Sequence, residues 1–270
     1  MNADYFRIAA IGDLHLTGSD DDAQMMRTVF KTASAKADVL AICGDFTCHG
    51  HPDELRGLIQ ASADLDVPAV AVLGNHDHES DRDDELTDVL GSAGIHVLDG
   101  TNLVVDGVGF AGVKGFGGGF DRGVVEAFGE RALKEFVEAT QLELTRLDSA
   151  LEALQTATKV VLMHYAPVSK TLAGEPEFIW PFLGSSRFED AIDRAKARVV
   201  FHGHAHLGAP MAATRGGIPV FNVALPVLRR ERLDVRIWST RRPAAFTEGH
   251  RIQGAGRTHE AAIRVSPALR

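Results

Sequence analysis

The sequence predicts an α/β fold built on two β-sheets, and three observations lead there. Apolar runs of strand length alternate with helix-periodic segments as far as Ala93, the pattern of βα units with parallel strands. From Ile95 to Val113 the rhythm shortens into strands broken by Asp99-Gly100 and Asp106-Gly107, which is the turn chemistry of antiparallel hairpins. Apolar runs also end abruptly in clustered Asp, Asn and His residues, at the strand ends where α/β sheets place ligands.

Taken in order, Tyr5 to Ile11 is the first strand, closed by Gly12-Asp13-Leu14-His15. Asp20 to Ala35 reads as a helix. Acids fill its first turn, facing the positive end of the helix dipole, and Met25, Met26, Val29, Phe30 and Ala33 recur at helical spacing. Val39 to Cys43 is the second strand and stops at Gly44-Asp45; Pro52-Asp53-Glu54 then opens another helix. Pro68 to Leu73 reads as a buried parallel strand halted by Gly74-Asn75-His76-Asp77, and Asp83 to Ala93 is an acid-started helix ending near Gly94. Ile95 to Leu98, Asn102 to Val105 and Val108 to Val113 are expected as hairpin strands of the second sheet.

A long helix is expected from Val124 to Ala157, with Val137, Leu144, Leu147, Leu151 and Leu154 on one core-facing stripe. Lys159 to Met163 ends at His164, and Arg198 to Phe201 ends at His202-Gly203-His204-Ala205-His206. Pro219 to Val223 and Leu233 to Trp238 complete the strands. Residues 1–240 read as one domain. Residues 241–270, arginine-rich and aperiodic, read as an irregular C-terminal tail, packed on the body or loosely ordered.

With 45% hydrophobic and 24% charged residues, the chain has the composition of an ordinary globular protein. A formal charge of −9 argues against a broad nucleic-acid surface, which needs a basic face. Two cysteines, Cys43 and Cys48, are too few for a disulfide framework and are expected as reduced thiols. No apolar run approaches the ~20 residues that span a bilayer, and no basic leader precedes the first strand. A cytoplasmic protein with no membrane partner is expected.

Five strands thus end in Asp13-x-His15, Gly44-Asp45, Gly74-Asn75-His76-Asp77, His164 and Gly203-His204-x-His206. Imidazoles and carboxylates together select borderline first-row divalent metals. Each motif alone is common; the ordered set is specific. It resembles the calcineurin-like metallophosphoesterase superfamily, whose signature is D-x-H, G-D, G-N-H-[DE], H and G-H-x-H in this order. The motifs span Asp13 to His206 and no signature position is substituted.

The resemblance implies a four-layer α/β/β/α sandwich of two mixed β-sheets flanked by helices, and two first-row divalent ions (Mn, Fe or Zn). Asp13, His15, Asp45 and His206 would hold one ion. Asp45, Asn75, His164 and His204 would hold the other, with Asp45 as the bridge. Metals ~3.5–4 Å apart need such a bridge plus a shared hydroxide, which attacks phosphorus in line. His76 would steady the transition state or protonate the leaving oxygen, with Asp77 orienting its ring and favouring its charged form. Valence explains the asparagine. Two divalent ions less Asp13, Asp45 and hydroxide leave one positive charge for a phosphate, and an aspartate at position 75 would cancel it.

Neighbouring branches differ. Protein phosphatases carry aspartate-arginine-glycine after the second motif, where this chain has Phe46-Thr47-Cys48-His49-Gly50. Purple acid phosphatases carry a ligating tyrosine where this chain has Cys48. The arrangement looks most like small bacterial phosphodiesterases of the cyclic-nucleotide type, which implies a small phosphoester substrate, a nucleotide among the candidates. A nuclease on single strands or short oligonucleotides and a non-catalytic scaffold are the alternatives. A homodimer is compatible with the sequence.

Gly107 to Gly112 matches G-x-G-x-x-G but lies between hairpin strands and opens no helix, so it is read as a decoy. Gly115 to Phe120 lacks the end of a P-loop and reads as a tight turn or a loop near the site. Tyr165 to Asp190, rich in aromatics, is open among a pocket wall, a dimer contact and plain packing. Ser185 or Ser186 is expected to cap the following helix. Lys170, Arg187 and Arg215 are candidate phosphate contacts, and His49 is a candidate pocket residue.

Overall fold

Alternation along the first strand sets the layers. In the computed structural model, which describes residues 4–243 and 252–254, β1 runs Tyr5–Ile11. Its Phe6, Ile8 and Ala10 turn to one side, and Ala9 and Ile11 to the other. After β1 come α1 (Asp20–Lys36), β2 (Val39–Cys43), α2 (Arg56–Ala61), β3 (Ala69–Val72), α3 (Asp83–Ser92) and β4 (Ile95–Val97). β1 to β4 pair in parallel in sequence order, as short right-handed βα crossovers require. The start of α1 is set by Ser19, whose hydroxyl accepts the Asp22 N–H while Asp22 accepts the Ser19 N–H.

The second sheet is built from β5 (Thr101–Val105), β6 (Val108–Val113), β7 (Thr158–Met163), β8 (Val199–His202), β9 (Met211–Ala213) and β10 (Pro219–Asn222). Between these lie the long α4 (Arg131–Ala153), the single-turn α5 (Trp180–Leu183) and α6 (Glu189–Arg194). β5 and β6 form the expected antiparallel hairpin, whereas β6, β7, β8 and β10 run parallel. The chain then returns through α7 (Leu225–Arg230) to β11 (Arg236–Arg241), which pairs antiparallel with β1 at the edge of the first sheet. β12 (Ile252–Gly254) pairs with β5. The sheet orders are β11-β1-β2-β3-β4 and β12-β5-β6-β7-β8-β10-β9.

Between the sheets Phe6, Ile8, Val70 and Val72 meet Phe110, Val160, Leu162 and Phe201 in one buried cluster. α1, α2, α3 and α7 cover the outer face of the first sheet, and α4 and α6 that of the second. The α/β/β/α sandwich is therefore the observed architecture. Each fully buried large side chain is worth roughly 1.5–3 kcal/mol. The apolar interlayer, not the polar edge above it, holds the sheets together. Among the described residues no helix is long and apolar enough to cross a membrane.

Four expectations are corrected. Ile95–Val97 is a parallel strand of the first sheet, not a hairpin strand of the second; the chain changes sheet only at Asp99-Gly100. The long helix begins at Arg131, not Val124, because the Val125 N–H donates to the Gly118 carbonyl and Gly129 takes φ 78°. It ends at Ala153, before the extended Leu154. Short β9 and α7 had no strong periodic signal. Within the segment read as an irregular tail, Arg241 closes β11 and 252–254 form β12; most of the rest lies outside the described residues.

Candidate metal centre

The parallel strands of both sheets deliver their carboxyl ends to one edge, and backbone bonds tie those ends together. The Asp13 N–H donates to the Gly44 carbonyl (2.9 Å), the His15 N–H to the Asp45 carbonyl (3.0 Å), and the Gly203 N–H to the His164 carbonyl (3.1 Å). Asp13, His15, Asp45 and His204 all take positive φ, between 45° and 68°. Such left-handed backbone costs about 1–3 kcal/mol per residue and persists where the surroundings over-determine it, typically at functional sites.

Among the described residues the donor atoms converge into three overlapping groups, two of them made of expected ligands and a third that joins His15 and Asp45 to His76. In the first, His206 Nε2 lies 2.8 Å from Asp13 Oδ1, with His15 completing a set whose donor atoms fall within 4.8 Å of one another. In the second, His164 Nε2 lies 2.9 Å from Asn75 Oδ1, 3.1 Å from His204 Nδ1 and 3.4 Å from Asp45 Oδ2. The same Asp45 Oδ2 is 3.8 Å from His15 Nε2. One carboxylate oxygen therefore faces both groups. All seven residues expected as ligands lie together at this edge.

Second partners leave the ligand atoms facing inward. His164 Nδ1 lies 2.9 Å from the Cys43 carbonyl, so Nδ1–H donates there and Nε2 keeps its lone pair for the cluster. His204 Nε2 lies 3.3 Å from the Phe182 carbonyl and leaves Nδ1 facing the cluster. Asp13 is held by the backbone N–H of His204 at 3.0 Å. Behind this loop the buried His202 is bonded to the Gly203 carbonyl and Thr171 Oγ1 and takes no part in the cluster.

Electrostatics tests whether cations fit. Burial, then the charges of Asp13 and Asp77, pushes the Asp45 carboxyl up to about 9. Burial lowers His15, drives His164 well below its ordinary value, and takes His204 down to about 3. His206 moves the other way because it bonds the Asp13 carboxylate. His15 Nε2 is buried without a hydrogen-bond partner, an arrangement that costs free energy unless something else satisfies it. Neutral imidazoles, a carboxylate resisting ionisation and an orphaned ring nitrogen are the donors of a cation site, where a metal charge reverses each penalty. The residues fit divalent metal.

His76 stands at the rim of the cluster, its ring nitrogen within 4.8 Å of the donor atoms of His15 and Asp45. Its backbone N–H donates to Asp45 Oδ1 (2.9 Å), and its ring packs edge-on against His15 with centroids 4.8 Å apart. Nδ1 is 2.7 Å from the Cys48 carbonyl and 3.5 Å from Glu79 Oε2. Asp77 is corrected: it does not orient this ring. Its fully buried carboxylate accepts N–H bonds from Gly74, Phe46 and Thr47 and the Thr47 hydroxyl, locking the second and third motifs to each other. A buried carboxylate among three backbone donors is better solvated there than beside a half-exposed ring.

Sequence reasoning missed Glu79 and Lys114. Glu79 stands one helical turn after His76, a spacing that marks a side-chain neighbour. Lys114 ends β6 at the same sheet edge, its Nζ over the rings of Phe116 (5.0 Å) and Tyr165 (5.5 Å). Reading that strand end like the other five would have found it. Arg215 pairs with Glu189 and Asp190, and Arg187 donates to the Val125 carbonyl near Glu126. His49 is exposed and faces Glu79. Gly107 to Gly112 lies in the β5–β6 hairpin and opens no helix. Ser185 accepts the Arg187 N–H and caps the turn at Ser186–Phe188.

Comparison with known proteins agrees with this geometry. The family model for calcineurin-like phosphoesterases matches residues 6–208. The chain is 26% identical over 214 residues to a probable cyclic nucleotide phosphodiesterase of Rhodococcus erythropolis, an alignment covering 77% of this chain and 64% of that protein. Over 74 residues it is 36% identical to a UDP-2,3-diacylglucosamine pyrophosphatase of Chlamydia muridarum, covering 27% of this chain and 22% of that one. The chain therefore spans less than two thirds of the length of either relative. Among solved structures, phosphopantetheinyl hydrolase from Mycobacterium tuberculosis superposes with a TM-score of 0.63 at 16% identity, covering 91% of this chain and 99% of that chain. GAP50 of Plasmodium gives 0.51 at 13% identity, covering 82% and 72%. These two likenesses show a shared fold.

Proposed function

The chain belongs to the calcineurin-like phosphoesterase family, and from that premise we propose that it is a dinuclear-metal phosphoesterase hydrolysing a small phosphoester, a diester in preference to a monoester. The observation that carries the reading is Asp45 Oδ2, within 3.4 Å of His164 Nε2 and 3.8 Å of His15 Nε2, one oxygen shared by two donor groups. Asp13, His15, Asp45 and His206 would hold one ion, and Asp45, Asn75, His164 and His204 the other. Manganese, iron and zinc suit such mixed nitrogen and oxygen donors. When bound, the metals would supply Lewis-acid polarisation of the phosphoryl group and a lowered pKa for the attacking water.

The chain's own residues do the rest. Asn75 gives a neutral oxygen, so the site keeps net positive character toward a phosphate. His76, with Nδ1–H donating to the Cys48 carbonyl, presents Nε2, which in the doubly protonated ring would give its proton to the leaving oxygen. Glu79, 3.5 Å from the same Nδ1, backs that ring in the role the sequence had suggested for Asp77. Asp77 keeps the loops that carry Asp45 and His76 in register. The relative named as a probable cyclic nucleotide phosphodiesterase supports a diester. A charge of −9 weighs against a nuclease, and the intact ligand set weighs against a scaffold. Both cysteines are unpaired, which supports a cytoplasmic location.

Metal analysis combined with hydrolysis of bis-p-nitrophenyl phosphate, p-nitrophenyl phosphate and cyclic nucleotides tests the proposal. Two metal equivalents and diester turnover are expected. Asp45→Ala should empty both sites and abolish turnover. His76→Ala should keep metal while slowing turnover by ~10²–10⁴. Metal loss in the His76 variant refutes its assigned role, and a fully loaded wild type without hydrolysis refutes the function.

A further inference from the structure

Four aromatic side chains form a continuous row that begins and ends at a candidate ligand. The Tyr165 ring lies 4.5 Å from the His204 imidazole, centroid to centroid. Phe116 follows at 5.8 Å from Tyr165, Phe136 at 5.1 Å from Phe116, and Phe182 at 6.3 Å from Phe136, edge to face. The row then closes on itself, since the Phe182 carbonyl is the group 3.3 Å from His204 Nε2. Tyr165 is buried, Phe116 and Phe136 are half-buried, and Phe182 is 62% exposed.

An isolated exposed hydrophobic residue needs no explanation, but Phe182 is the exposed end of a row of contacting rings that reaches a polar site. This row is built rather than incidental. Along α4, Phe136, Thr140, Glu143 and Leu147 share one face, and its polar members dock the glycine-rich loop. Thr140 Oγ1 donates to the Gly117 carbonyl (2.6 Å), and Glu143 Oε2 accepts the Gly115 N–H (2.8 Å). Gly117 has no room for a side chain, because a Cβ there would sit 2.9 Å from Phe136 Cζ and 2.6 Å from the Pro181 carbonyl oxygen. The close approach of α4 and the 180–183 turn depends on that glycine. Lys114 Nζ lies over the Phe116 and Tyr165 rings, fixing two more members of the row.

The geometry points to this row as the recognition shelf for a planar ring carried on the ester side of the substrate, a nucleobase on its sugar or an aryl ring, with Phe182 as its specificity-determining residue. The inference rests on the phosphoesterase reading. A phosphate at the cation site that His164 and His204 would help to hold puts its ester group on the side of the residues touching His204. A planar group is the shape that stacks on such rings. The contact between Phe182 and His204 runs through the main chain, so Phe182→Ala removes the ring and keeps that contact.

Two inert ligands test it. Binding of phenylphosphonate and methylphosphonate to the metal-loaded protein is measured by calorimetry, for the wild type, Phe182→Ala and Phe182→Trp. The wild type is expected to prefer the phenyl ligand by about 10-fold or more, Phe182→Ala to lose most of that preference, and Phe182→Trp to restore it. A nucleoside phosphonate in the same series identifies the planar group as a base if it binds more tightly than the phenyl ligand, and as a simple aryl ring if it binds less tightly. Equal preference in wild type and Phe182→Ala overturns the shelf while leaving the phosphoesterase reading intact. If neither phosphonate binds the loaded wild type, the phosphate site itself is refuted, and the shelf falls with it.

Discussion

At the scale of single residues, the candidate site is a set of local penalties that only a cation offsets. Asp45 shows it most clearly. On folding without metal it retains a proton anywhere between its ordinary value of 3.8 and about 9, so the unfolded chain binds fewer protons than the folded one in that window. Stability attributable to Asp45 is therefore present at low pH and lost as pH rises toward 9. His204 has the opposite sign: burial takes it from 6.5 to about 3, so it must shed a proton to fold in mild acid and adds stability as pH climbs to 6.5. Metal-stripped protein is expected to be most stable near neutrality, with Tm falling between pH 7 and pH 9. Asp45→Asn removes the carboxyl that causes the alkaline fall and should flatten that limb in thermal scans. A wild-type Tm that holds level across that range refutes the burial argument for Asp45.

The elements that carry these residues explain how much of the site was legible. Strands β1, β2, β3, β7 and β8 each carry an apolar run, so the residue type changes sharply near where each ends, and the candidate ligands sit on that boundary. What spacing did not reveal is which side chain supports which. Asp77 follows His76 directly, yet its carboxylate turns into the fold toward Thr47, a residue 30 positions away. Sequence neighbours on a turn point in different directions, and a contact across two strand ends leaves no periodic trace. β4 was misplaced for the same reason: three residues cannot show whether their partner is parallel. The glycines before the ligands are legible in hindsight as space. A Cβ on Gly74 would overlap the Asp45 carboxylate, and one on Gly203 would overlap that of Asp13. Gly74 does not take left-handed φ, so the strain of an alanine there comes from its Cβ, which meets the Asp45 carboxylate and backbone nitrogen. Gly74→Ala should therefore displace Asp45, weakening metal affinity by about 10–100-fold, while far-UV circular dichroism stays native. Unchanged affinity would mean that the loop yields and the spacing is not a constraint.

For the molecule as a whole, the donor set divides by sheet. Asp13, His15, Asp45 and Asn75 follow β1, β2 and β3 of the first sheet; His164, His204 and His206 follow β7 and β8 of the second. The two groups made of expected ligands each draw from both, Asp13 and His15 with His206, and Asp45 with His164 and His204, whereas the third, His15, Asp45 and His76, lies within the first sheet. A cation in either of the first two is a cross-link between the layers at the edge where the apolar interlayer gives way to polar loops. Ligand that binds only the folded state stabilises it by RT ln(1 + [L]/Kd), about 4 kcal/mol at a thousandfold excess over Kd. Because unfolding one sheet alone would break both groups, the gain accrues to the two sheets jointly. Metal should raise Tm by several degrees, in a single transition. Hydrogen exchange should slow after metal addition at the ends of β2 and β8 together, and Asp45→Asn should abolish both effects. Protection gained in one sheet alone would show that the groups act separately, and that Asp45 does not join them.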